Sequence, residues 1–208
     1  MIQGLYAITP SGLEENDLLT KTEVLLKEGI KLIQYRDKIL DKKTLQEKAH
    51  ALLKLTKKYG AKLVINDHVE ICLEISADGF HLGLEDYSSE GNVDLLKKNK
   101  EFISKNLICG LSCKWNKELV VNPPENEIKW TYLAVGSFYP SNTKSTIPET
   151  NENVKRKFLS YTDKPLVAIG GINKKNIGEV RSLGYSCFAL SEALFINPQH
   201  VLNEYKRL

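Results

Sequence analysis

Three observations predict an α/β protein built as a single (β/α)8 TIM barrel. Short apolar runs recur along the chain, helical patterns with one buried face separate them, and no Pro/Gly/Ser-rich linker breaks the alternation. With 208 residues the chain lies near the lower size limit of that fold and suits one domain spanning residues 1–208. A hydrophobic share of 42% is enough to fill the core such a barrel needs.

The predicted strands, in order, are Leu5–Ile8, Lys31–Tyr35, Lys62–Ile65, Gly79–Leu82, Asn106–Leu111, Tyr132–Gly136, Leu166–Ile169 and Ser186–Leu190. The clearest helix follows the second run. It places Leu45, Ala49, Leu52, Leu53, Thr56 and Tyr59 on one side, with Asp41 as N-cap and Gly60 as the stop. A second helix runs from a cap at Asn173 through Ile177, Val180 and Leu183 to Gly184. The last begins near Ser191, breaks at Asn197–Pro198 and restarts with Val201, Leu202 and Tyr205, Pro198 suiting the first position of the restart. Eight strand–helix units favour a closed barrel over an open doubly wound sheet. Periodicity leaves both open, and in either the functional residues gather just after the strands.

Charge and cysteine usage narrow the class of function. The net charge of +3 is small, and the pairs Lys42–Lys43, Lys57–Lys58, Lys97–Lys98 and Lys174–Lys175 sit in or beside helices, as on a solvated outer face. A nucleic-acid stripe requires more charge and interleaved aromatics, so no nucleic-acid partner is expected. Cys72, Cys109, Cys113 and Cys187 form no C-x-x-C pair, which argues against zinc and a disulfide framework. The start lacks a basic leader and no apolar run is long enough to span a bilayer. The expectation is therefore a cytoplasmic protein with no membrane partner.

The strand ends carry the chemistry. Gln34, Arg36, Asp37 and Lys38 follow the second strand, Asn66, Asp67 and His68 the third, and His81, Gly83, Glu85 and Asp86 the fourth. Two carboxylates at adjacent strand ends, Asp67 and Asp86, can hold one hard cation, and magnesium suits few protein oxygens combined with phosphate oxygens. Arg36, Lys38 and Lys144 would surround the same point with positive charge, as a metal-bound polyphosphate requires. The bland alternative makes Asp67 the cap of a helix beginning near Val69 and Asp86 a loop carboxylate. After the seventh and eighth strands come Gly170–Gly171 and Leu190–Ser191, where barrels often cradle a phosphate on backbone N–H groups; a tight turn needing positive φ explains the glycines equally well. The hydroxyl-rich segment Tyr139–Thr146 reads as a lid bringing Lys144 inward, or as an ordinary solvated loop. His81 reads as a satisfied barrel histidine. No Ser-His-Asp or Cys-His signature accompanies these groups.

Taken together, the chain resembles thiamine-phosphate synthase along nearly its whole length. Leu5-Tyr6-Ala7-Ile8-Thr9 is similar to that family's opening strand, Gln34-Tyr35-Arg36-Asp37-Lys38 to Q-x-R-x-K, and Ile65-Asn66-Asp67 to I-N-D. His81-Leu82-Gly83 with Asp86 resembles H-x-G-Q-x-D, Gly110-Leu111-Ser112 resembles G-x-S, Ser141-Asn142-Thr143-Lys144 resembles T-x-T-K, and Ala168-Ile169-Gly170-Gly171-Ile172 resembles A-I-G-G-I. The resemblance implies a barrel that joins hydroxymethylpyrimidine diphosphate to a thiazole phosphate with release of diphosphate. These phosphorylated small molecules would be its partners, and a homodimer is implied too. By matched position, Asp67 and Asp86 would bind Mg2+, and Arg36, Lys38, Asn66 and Lys144 would hold the diphosphate. Gln34 and Ser112 would contact the pyrimidine. Gly171, Leu190 and Ser191 would take the thiazole phosphate, with Ser141 and Thr143 nearby. Arg36, Lys38, Lys144 and Ser112 would serve the chemistry directly.

The chain departs from the family pattern at several points. Leu84 stands where the family has glutamine, Cys113 where a histidine commonly follows G-x-S, and Glu192 where a small residue follows Ser191. A thiazole tautomerase is the related alternative, although such enzymes tend to lack the metal carboxylates. A barrel that binds thiamine precursors without turning them over is the alternative of a different class.

Overall fold

The computed structural model describes residues 2–124, 128–141 and 147–208. Its strands are β1 (Gly4–Ile8), β2 (Leu32–Tyr35), β3 (Lys62–Asn66), β4 (Gly79–Leu82), β5 (Ile108–Ser112), β6 (Tyr132–Val135), β7 (Leu166–Ile169) and β8 (Cys187–Leu190). All pair in parallel and in chain order. The pairing of Tyr6 with Ala189 and of Ala7 with Leu190 joins β1 to β8, so the sheet is a closed barrel rather than an open one.

Alternation along each strand divides the apolar residues into two cores. Tyr6, Ile8, Leu32, Val64, Tyr132, Ala134, Val167, Cys187 and Ala189 fill the barrel interior. Leu5, Ala7, Ile33, Ile65, Phe80, Leu111, Leu133, Ala168 and Phe188 face outward into the layer beneath the helices. By the same two-residue period, Gln34, Asn66 and Ser112 continue the inner face beyond Leu32, Val64 and Gly110, towards the C-terminal mouth of the barrel.

The helices among the described residues are α1 (Glu15–Lys27), α2 (Lys42–Lys58), α3 (Val69–Glu74), α4 (Leu84–Tyr87), α5 (Glu90–Asn106), α6 (Lys117–Val121), α7 (Glu152–Phe158), α8 (Ile177–Ser182), α9 (Glu192–Ile196) and α10 (Pro198–Arg207). Asp41 caps α2 as expected: its carboxylate accepts from the Thr44 N–H at 3.1 Å, while Leu45, Ala49, Leu52, Leu53 and Thr56 are buried beneath it. Pro198 opens α10. The expected cap at Asn173 is corrected. Helix α8 starts at Ile177 with Asn176 as its N-cap, and Asn173 instead closes the preceding turn by accepting from the Lys175 N–H at 2.9 Å. The paired lysines 42–43, 57–58, 97–98 and 174–175 are all exposed. No helix among the described residues is long and apolar enough to cross a membrane.

Candidate active site

The β1–α1 loop organises the exit of β2. Thr9 Oγ1 accepts from the Arg36 N–H and donates to the Arg36 carbonyl, at 2.9 and 3.0 Å. Ser11 Oγ accepts from the Lys38 N–H at 3.1 Å and from Arg36 Nη1 at 3.3 Å. Asp37 is buried because its carboxylate accepts from the backbone N–H groups of Gly12 and Ile39, at 2.9 and 3.0 Å. It therefore knits two loops together, while its neighbours Arg36 and Lys38 are left to line the mouth. Sequence reading missed Thr9 and Ser11. Their signal was a hydroxyl at the end of β1 and another two residues on, which is weak in isolation.

Lys38, Asp67 and Asp86 come together from three adjacent strand ends. The Lys38 ammonium donates to Asp67 Oδ2, and Asp67 is mostly shielded from solvent whereas Lys38 is half exposed. Asp67 does not cap α3: His68 is the N-cap residue, without a side-chain bond to the helix, and Asp67 sits in the left-handed region at φ 65°. Asp86 lies in the short helix α4 rather than in a loop. Its carboxyl lies close to that of Asp67 and to the Gly83 backbone. Burial, then the charge of Asp67, push the Asp86 carboxyl above the ordinary carboxylate range, with Lys38 and the Gly83 N–H opposing them. His68 turns away to Glu70, 3.5 Å from Nδ1, where Lys42 also reaches.

The barrel floor beneath this cluster is a buried polar chain. Gln34 Nε2 donates to Tyr6 Oη at 2.9 Å, Tyr6 Oη lies 2.8 Å from Tyr132 Oη, and Tyr132 Oη lies 3.0 Å from His81 Nδ1. One consistent arrangement has the amide donate to Tyr6, Tyr6 to Tyr132, and Tyr132 to His81 accepting at Nδ1. Burial pushes both phenols well above their ordinary range, so both keep their protons. His81 is thus the satisfied barrel histidine that the sequence suggested. Gly110 makes the room, since a Cβ there would stand 2.2 Å from the Tyr132 ring and 2.6 Å from His81 Nδ1.

Across the barrel, the backbone that follows β6 and β7 is closely packed. Gly170 and Gly171 hold φ of 103° and 65°, and a Cβ on Gly171 would meet the Pro140 and Tyr139 carbonyl oxygens at 2.4 and 2.7 Å. The positive-φ reading of the glycines is therefore met, and the close approach of two backbone carbonyls is a further reason for glycine at position 171. Asn173 and Asn176 each donate a side-chain N–H to the Gly171 carbonyl at 3.0 Å, holding that turn. Leu190 is buried, and the adjacent Ser191 Oγ is a buried hydroxyl with no hydrogen-bond partner among the described residues. Such an atom is costly unless something arrives to pair with it.

The remaining candidates divide. Asn66 and Ser112 end β3 and β5, half-buried on the inner face. Ser141 is described at the start of the supposed lid, whereas Thr143 and Lys144 lie outside the described residues. Trp115 and Trp130 pack edge-on to Phe158 and to Tyr87 respectively. All four cysteines are buried free thiols, and burial pushes Cys109, Cys113 and Cys187 up to about 12. None is poised as a thiolate nucleophile. Among the described residues no group of three or more His, Cys, Asp or Glu side chains forms a metal cage, so any cation here rests on the Asp67–Asp86 pair.

Comparison with known proteins agrees with this geometry. Residues 5–194 match the family model described as thiamine monophosphate synthase. Thiamine-phosphate synthase of Nitrosospira multiformis is 36% identical over 195 residues, covering 93% of this chain and 79% of that protein. Its counterpart in Dictyoglomus turgidum is 35% identical over 198 residues, covering 88% of this chain and 82% of that protein. Among solved structures, thiamine phosphate pyrophosphorylase from Pyrococcus furiosus superposes with a TM-score of 0.77 at 27% identity, covering 99% of this chain and 96% of that one. A match over this much of the chain, on a barrel with acidic, basic and glycine-rich strand ends, means that the protein belongs to the thiamine monophosphate synthase family.

Proposed function

We propose that this chain is a thiamine-phosphate synthase, a transferase that moves the hydroxymethylpyrimidine group from its diphosphate onto a thiazole phosphate. In that reaction the methylene C–O bond breaks with its electron pair leaving on diphosphate, and the thiazole nitrogen lone pair forms the new C–N bond. The catalytic demand is therefore to stabilise negative charge on the leaving group, with no protein nucleophile. The observation that carries the reading is the convergence of Lys38, Asp67 and Asp86 at the ends of β2, β3 and β4, within a family of that activity.

Each half of the site suits one substrate. Lys38 and Arg36 bring positive charge to the diphosphate, and Lys144 is proposed to join them from the Tyr139–Thr146 segment. Gln34, fixed by Tyr6, and Ser112 would orient the pyrimidine on the barrel floor. The Gly170–Gly171 turn would offer backbone N–H groups to the thiazole phosphate, and the orphaned Ser191 hydroxyl supports an oxygen-rich ligand beside it. The donor set also fits magnesium: two carboxylates lie close together, and burial with the charge of Asp67 disfavours an ionised Asp86 unless more positive charge arrives. A bound magnesium ion would add divalent charge against the leaving diphosphate.

The test supplies both heterocyclic substrates with Mg2+ and follows diphosphate release and thiamine phosphate formation. Turnover is expected in the wild type and is expected to fall at least about 100-fold in Asp86→Ala. Turnover indifferent to that change and to chelation would refute the proposed mechanism.

A further inference from the structure

Helix α5 buries Asn92, Leu96 and Ile103 along its inner stripe, and Asn92 is the anomaly. It lies in the first turn of the helix, where a buried amide is costly unless its protons are matched, a cost that leucine or alanine would avoid. The matching partners explain its presence. Asn92 Nδ2 donates to the Asp86 carbonyl at 2.7 Å and to the Asp67 carbonyl at 3.4 Å. Carbonyl oxygens only accept, so the amide orientation is fixed, and its two protons serve the two residues whose side chains meet at the mouth.

The two carbonyls differ in what else holds them. Asp86 also receives the Ser89 hydroxyl at 2.9 Å and the Ser89 N–H at 3.4 Å. Asp67 is the more precarious of the pair, an L-residue in the left-handed region where backbone conformation is strained. A donor from a long helix behind it resists relaxation of that conformation. The bond also ties the end of β3 to the helix that follows β4.

We propose that Asn92 is a positioning residue that locks the main chains of Asp67 and Asp86 into one frame, setting the separation and aim of their carboxylates towards a divalent cation. This rests on the metal reading given above and deepens it. Because its amide protons go to the two carbonyls, Asn92 acts through the two aspartates. Outer supports of this kind are commonly worth 10- to 100-fold in metal affinity or activity.

The experiment titrates Mn2+ into the intact chain, following loss of the free-ion electron paramagnetic resonance signal, and in parallel measures turnover against Mg2+ concentration. Wild type is compared with Asn92→Ala, with Asn92→Leu as the variant that keeps the volume without the donors, and with Asp86→Ala as the variant lacking a ligand. Both Asn92 variants are expected to need roughly tenfold more metal for half-saturation in both readouts, with kcat at saturating metal changed by less than about twofold. A loss of Tm with unchanged metal dependence would make Asn92 a merely structural residue and overturn the proposal. A wild-type chain that neither binds Mn2+ nor needs a divalent cation would overturn the metal reading itself, a result distinct from wild type and Asn92 variants binding equally well.

Discussion

Asp86, a residue of the proposed site, is placed at the expense of the fold. Its folded-state carboxyl is raised above the ordinary range, first by burial and then by Asp67. A carboxyl raised on folding binds its proton more tightly in the native state. Its contribution to stability is therefore full below the unfolded pKa and lost as pH rises through the folded one. At neutral pH without metal the ionised pair opposes folding, so Asp86→Asn is expected to raise Tm. Each kcal/mol regained should appear as about 2–4 °C for a chain of this size. The gain should vanish as pH falls below the ordinary carboxylate range, which thermal unfolding of both proteins across that range would reveal. A variant less stable than wild type at neutral pH would show that Lys38 and the Gly83 N–H outweigh burial and Asp67.

At the scale of elements, the β7–α8 turn carries the sharpest geometric constraint. Gly171→Ala must accept a left-handed backbone, which costs an L-residue roughly 1–2 kcal/mol, and must place a Cβ against two backbone carbonyls that cannot rotate away. Denaturant unfolding is expected to record a loss of at least about that size, and KM for the thiazole phosphate is expected to rise. The elements themselves were unequally legible. Helix α2 could be read from Asp41, its apolar stripe and Gly60 because cap, period and stop all agree. The start of α8 could not, because Asn173 and Asn176 are both competent caps and only the fold decides that one closes a turn while the other begins the helix. Helix α4 has four residues, too few for any period to appear, so Asp86 looked like a loop residue.

For the molecule as a whole, closure of the barrel puts the diphosphate and phosphate halves of the proposed site on different arcs of one rim, β2–β4 and β6–β8. Lys38→Ala is expected to raise KM for the pyrimidine diphosphate severalfold while leaving that for the thiazole phosphate nearly unchanged, and Gly171→Ala to do the reverse. Steady-state kinetics of the single and double variants should give effects that add in free energy within about 0.5 kcal/mol. Strong coupling between them would place both residues on one substrate. Strand number was readable because alternation and helix period are local signals, although the fifth strand begins at Ile108 and its expected start, Asn106, closes α5. Closure was favoured by the count of eight units but not fixed by periodicity, since the bonds joining β1 to β8 depend on twist and stagger accumulated around the sheet. The same distinction separates the site residues. Lys38, Asp67 and Asp86 announce themselves as charged groups near strand ends, whereas Asn92 acquires meaning only when α5 is laid against the backbone of Asp86 in α4 and of Asp67 at the end of β3.

The chain of bonds through the barrel floor also bears on how this protein can diverge. Exchange of Tyr6 or Tyr132 for phenylalanine, or of Gln34 or His81 for an apolar residue, strands at least one buried neighbour, and any side chain at position 110 collides with Tyr132. Single steps away from the present set are therefore penalised, although a wholly apolar floor would leave no polar atom stranded, so changes at positions 6, 34, 81, 110 and 132 are expected to be better tolerated together than singly.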